Sequence, residues 1–101
     1  MLIPKIICHR KNEHRVAYQL TKENAEQLLG YMEYQLGDDG KGQYARIKDD
    51  GIEYGFHGSY DKFAKFGTIF VVEDAHDLWH NYSIEEFNKK FDVVPDRNSV
   101  V

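Results

Sequence analysis

Residues 68–91 read TIFVVEDAHDLWHNYSIEEFNKKF, and three patterns follow one another in them. Ile69, Phe70, Val71 and Val72 form a continuous apolar run, as expected of a central strand covered on both faces. Asp74–Ala75–His76–Asp77 supplies turn residues. From Leu78 to Tyr82 the chain alternates, with Leu78, His80 and Tyr82 on one face and Trp79 and Asn81 on the other, which predicts the partner strand. Ser83-Ile84-Glu85-Glu86 is then a capping box, in which Ser83 satisfies the N–H of Glu86 and the Glu86 carboxylate reaches back to the N–H of Ser83. A short helix over Ile84–Phe91 follows. Ile84, Phe87 and Phe91 are expected inward, and Lys89 and Lys90 lie at the end where the helix dipole favours cations.

Working upstream, Val16, Tyr18 and Leu20 alternate and predict a half-buried strand, paired with Leu2–Cys8 through a turn at Lys11–His14. Thr21 is expected to cap a helix over Lys22–Gln35, whose apolar stripe is Ala25, Leu28, Leu29, Met32 and Leu36. Gly30 is expected to mark close packing against the sheet, and Gly37 to end the helix. Tyr44–Lys48, Asp49–Asp50–Gly51 and Ile52–Phe56 predict a hairpin whose Asp-Gly turn uses positive φ. Tyr60, Phe63 and Phe66 recur at threes and predict a helical turn lying on the core. The expected fold class is α+β: a mostly antiparallel sheet, one longer helix on a face, and a short C-terminal helix. One domain covers residues 1–95, residues 96–101 form a flexible tail, and Phe70 and Leu28 are core residues.

Composition narrows the function classes. At 101 residues the chain suits one domain and one core. Cys8 is the single cysteine, so no intramolecular disulfide forms, and a reducing, cytoplasmic setting is expected. The N-terminal MLIPKIICHRK is broken by Pro4 and Lys5 and does not fit a secretion signal, and no stretch approaches the roughly 20 apolar residues of a membrane helix. The net charge is −4. Residues 1–50 hold 8 basic and 8 acidic side chains, and residues 51–101 hold 5 and 9, so the second half carries all of it. A duplex-binding domain shows a strong positive footprint; here a nucleic-acid partner is not expected, and the basic N-terminal segment is a solvated edge.

The chemistry-bearing residues form no established motif. His76 and His80 are four apart, but from turn into strand that is about 13 Å, too far to share an ion. Asp38–Asp39 and Asp49–Asp50 flank glycines as turn residues and lack calcium-loop spacing. Cys8 has basic neighbours but no identifiable base, so a small buried apolar role is expected. Gly40, Lys41 and Gly42 do not have P-loop spacing. No metal or cofactor is expected.

Three segments carry a resemblance. They are His9–Arg10–Lys11 leading into Val16–Ala17–Tyr18–Gln19–Leu20–Thr21 and Glu23–Asn24; Gly67 to Asp74, G-T-I-F-V-V-E-D; and Tyr82 to Phe91, Y-S-I-E-E-F-N-K-K-F. Together they resemble a family of small uncharacterised bacteriophage and prophage proteins, although Thr68 stands where the family usually has Asp. The resemblance implies an accessory phage protein in the cytoplasm of a bacterial host, and it carries over no catalytic residue.

The expected function is a non-enzymatic binding protein or inhibitor that meets a host or defence protein through an acidic surface of Glu73, Asp74, Asp77, Glu85 and Glu86. The alternatives are a small-molecule or nucleotide binder, enzymatic or not, using a pocket with His57, His80 and Tyr82, or a phage assembly accessory acting as a homo-oligomer.

Overall fold

The computed structural model of the chain describes residues 3–10, 13–36, 43–56, 60–72 and 79–93. In chain order its elements are β1 (Ile6–Arg10), β2 (Glu13–Gln19), α1 (Ala25–Tyr31), β3 (Gln35–Leu36), β4 (Gln43–Ile47), β5 (Gly51–Phe56), β6 (Lys62–Lys65), β7 (Ile69–Val72), β8 (Trp79–Tyr82), α2 (Ile84–Lys90) and β9 (Asp92–Val93). Of the described residues, 52% lie in strands and 19% in helices, and each helix has seven residues. The fold is mostly β. This corrects the expected α+β class, because no long helix lies on a sheet face.

The first helix is shorter than expected at both ends. Thr21 and Asn24 bond each other reciprocally, Asn24 N–H to Thr21 Oγ1 at 3.2 Å and Thr21 N–H to Asn24 Oδ1 at 2.9 Å. This is the reciprocal pairing of a capping box, so the Thr21 hydroxyl accepts from the first turn as expected, but residues 22–24 are a turn and the helix proper is capped at Asn24. At the other end Glu33 takes φ 64°. Its N–H donates to the Gly30 carbonyl at 3.1 Å, and the Tyr34 N–H to the Leu29 carbonyl at 2.9 Å. These two bonds make a Schellman stop, with Glu33 where glycine is usual. The chain leaves the helix there and enters β3, so Leu36 is 47% exposed instead of completing the stripe. Gly30 is exposed, and a Cβ on it would meet nothing within 4 Å, so it marks no close packing. Gly37 lies outside the described residues.

The contacts of the chain divide into two compact units, residues 1–19 with 69–101, and residues 20–68. The second is inserted between β2 and β7, which are antiparallel neighbours. Its ends are tied by the Leu20 N–H to the Thr68 carbonyl at 2.9 Å and the Gly67 N–H to the Leu20 carbonyl at 2.7 Å.

The first unit is a five-stranded sheet in the order β8-β7-β2-β1-β9, antiparallel throughout. Its core joins Cys8, Ala17, Ile69, Val71 and Tyr82 to Phe87 and Phe91. Phe70, on the opposite face of β7 from Val71, is also fully buried, so the continuous apolar run is covered on both faces. On β2 Ala17 is buried in this core, while on the other face Val16 and Tyr18 are half-buried and Leu20, just past the strand, is fully buried. Alternation fixes two faces but does not say what covers each, and the Ala17 side is the one that meets Phe87 of α2. The capping box forms, with the Glu86 N–H to Ser83 Oγ at 3.1 Å and the Ser83 N–H to Glu86 Oε1 at 3.3 Å. Phe87 and Phe91 stack at 5.3 Å, and Tyr82 meets Phe91 edge-on at 5.4 Å. Ile84, expected inward, is 44% exposed. It sits roughly 10 Å along the helix rise from Phe91, past the end where the core closes.

The second unit is a four-stranded sheet in the order β3-β4-β5-β6, with β3 parallel to β4 and the other pairs antiparallel. Ala45, Tyr54, Ile52 and Ala64 fall on one buried face by register, and Ala25, Leu28, Leu29 and Met32 are buried on α1. The expected helical turn is replaced by β6. Phe63 points away from the core at 49% exposure, and Ala64 is the buried residue. A strand wins because β5 otherwise leaves its backbone groups unpaired along one side. Gly51 opens β5 without positive φ; among the described glycines that conformation belongs to Gly67, at 98°.

Candidate functional site

Of the five carboxylates expected to form one acidic surface, two fall within the described residues. Glu85 and Glu86 are exposed on the first turn of α2, and Glu86 also closes the capping box. Glu73, Asp74 and Asp77 lie outside the described residues.

Of the pocket residues, His57 lies outside the described residues, His80 is exposed on β8, and Tyr82 is 9% exposed in the core beside Phe91. The Lys90 ammonium lies 5.1 Å from the Tyr82 ring centre. His80 and Tyr82 share a face of β8, as alternation predicts. His76 lies outside the described residues. Cys8 is fully buried, and its thiol donates to the Arg15 carbonyl at 3.6 Å.

Several groupings appear only through strand pairing. His14, His9 and Asp92 stand side by side in one row across β2, β1 and β9. His9 Nε2 lies 3.5 Å from Asp92 Oδ2, and the two imidazoles meet edge-on at 6.0 Å. Among the described residues, no three His, Cys, Asp or Glu side chains form a group able to hold a metal. Tyr18 and Trp79, on strands separated by β7, stack at 5.8 Å.

In the second unit, Tyr34 and Tyr54 pack edge-on at 5.4 Å. Burial pushes the Tyr54 hydroxyl up to about 12, with Tyr34 and then Asp61 adding to it. Burial and then Asp61 also raise Tyr34. A phenol held protonated donates hydrogen bonds and is the opposite of an activated nucleophile or base. The Arg46 guanidinium carbon lies over the Tyr60 ring at 3.7 Å from its centre, and Arg46 pairs with Glu53 Oε1 at 3.1 Å, while Lys48 Nζ approaches the same oxygen at 4.0 Å. That oxygen is buried with no hydrogen bond of good angle, so the two cations hold it electrostatically. The alternation of Tyr44, Arg46 and Lys48 hints at one face in sequence. The partners Glu53 and Phe63 need the β4-β5-β6 register.

No family model, curated protein or solved structure matches the chain. Among the described residues, no helix is long and apolar enough to cross a membrane.

Proposed function

We propose that the chain is a non-enzymatic binding protein that engages a basic surface of a protein partner through the outer side of α2, as a phage accessory protein would engage a host or defence component. The observation that carries it is Ile84, 44% exposed and followed by the exposed Glu85 and Glu86. An aliphatic anchor supplies contact area, and carboxylates beside it speed encounter with a basic partner and disfavour acidic ones. The negative balance of residues 51–101 adds a long-range field of the same sign. The capping box fixes the backbone that presents the patch.

The bland account is that isolated apolar side chains are common on surfaces and that carboxylates favour a helix start. Ile84→Ser combined with Glu85→Lys separates the two, because it leaves Ser83 and Glu86 intact. Stability should hold within about 1 kcal/mol, while affinity for a basic partner recovered with the wild type falls at least roughly tenfold, about 1.4 kcal/mol. A partner retained equally by the double variant at every salt concentration, or no partner for the wild type, sinks the proposal.

A further inference from the structure

The outer face of the second unit's sheet carries a grid that neither the acidic patch nor the fold requires. Register places Arg46, Glu53 and Phe63 in one row across β4, β5 and β6, with Gly51 and Lys65 paired in the next row. Lys48 closes that row opposite Gly51, its N–H donating to the Gly51 carbonyl at 2.8 Å. Phe63 lies over the gap that Gly51 leaves: a Cβ on Gly51 would come within 2.8 Å of the Phe63 ring tip. A half-exposed aromatic thus lies between two lysines, whose strands are two spacings apart, about 10 Å. By register Arg46 and Lys65 lie on the same face as Glu53, which Arg46 and Lys48 already share, and Asp49 and Asp50 are exposed in the turn after Lys48. The Arg46 guanidinium carbon lies over the Tyr60 ring, 3.7 Å from its centre, which restricts the side chain.

Edge protection explains Lys65, since β6 is an outer strand and lysine blunts such edges. It does not explain Arg46 and Lys48, which belong to the inner strand β4 and the turn that follows it. Nor does it explain a Phe at 49% exposure between them.

We infer that this face is a binding site for single-stranded nucleic acid, with a base stacked on Phe63 and flanking phosphates taken by Lys48 and Lys65 and by Arg46. A duplex presents no free base face, and the chain's net charge of −4 lacks the broad positive footprint a duplex needs. A short single strand matches one aromatic platform with local cations. This site is separate from the α2 patch and stands or falls without it.

The test is fluorescence anisotropy of the full chain with a labelled single strand of about ten nucleotides at about 50 mM salt. The wild type should bind the single strand at least roughly tenfold more tightly than a duplex of the same length. Phe63→Leu keeps an apolar cover over Gly51 and should weaken binding by about tenfold, with the thermal midpoint unchanged. Lys48→Gln with Lys65→Gln should make the slope of log affinity against log salt shallower by about 1.4, at about 0.7 per phosphate contact. The inference is overturned if the wild type does not bind the strand, or if Phe63→Leu binds it as well as the wild type. Tighter binding of heparin or polyglutamate than of the strand would assign the patch to polyanions or acidic peptides and overturn it too. A mononucleotide competing as well as the strand would replace the strand with a free nucleotide.

Discussion

The Phe63 ring lies over Gly51, and the space between them holds no side chain. A Cβ on Gly51 would sit 2.2 Å from the Ala64 carbonyl oxygen, 2.8 Å from the Phe63 ring tip and 2.9 Å from the Lys65 Cα. Gly51 is therefore required for close strand approach, not for an unusual turn. Gly51→Ala should destabilise the chain by about 2–3 kcal/mol, because the nearest obstacle is backbone. Adding Phe63→Ala should not restore the loss, since it leaves the Ala64 carbonyl in place. Restoration in a denaturant titration of the double variant would show that the ring alone sets the requirement.

Glu33 holds a left-handed conformation that glycine adopts without a steric penalty, whereas Gly30 sits in a helix with open space around its Cα. Glu33→Gly should stabilise by about 1 kcal/mol, and Gly30→Ala by up to about 1 kcal/mol. Together they should add, if the Schellman stop is real. Urea midpoints of the two single variants and the double variant measure this, and a destabilising Glu33→Gly contradicts the stop.

Phe70 and Leu28 are both fully buried, one in each unit. Truncation of either to Ala should cost about 2–5 kcal/mol through the cavity left behind. A loss below about 1 kcal/mol in chemical denaturation would mean that the side chain is not packed as described.

Tyr54 gives the chain an alkaline sensitivity. Its folded value is raised from 10.0 to about 12, first by burial and then by Tyr34 and Asp61. The fold favours the protonated phenol, so this contribution to stability is complete below about pH 10 and is lost as pH rises toward about 12. Unfolding midpoints measured from pH 9 to pH 11.5 should fall less steeply in Tyr54→Phe than in the wild type. Equal slopes would place the phenol in water.

The start of α2 was legible in sequence because a capping box is a local device: Ser83 and Glu86 are three residues apart, and the helix they start brings their groups together. The same holds for the apolar run of β7, whose burial on both faces needs only that some sheet and some cover exist. The length of α1 was not legible. The stripe from Ala25 to Leu36 continues smoothly in sequence, yet Glu33 ends the helix, and nothing in a glutamate announces a left-handed residue.

The sequence by itself determined where hairpin strands pair locally and where α2 begins, because these depend on neighbours a few residues apart. Tertiary structure alone decided three things. It put Ala17 against Phe87 and Phe91, since alternation along β2 defines two faces and does not say which one α2 covers. It turned residues 62–65 into a strand, since β5 had a free edge to satisfy. And it brought Arg46, Glu53 and Phe63 into one row, since side chains 7 and 10 residues apart become neighbours only when strand register aligns them.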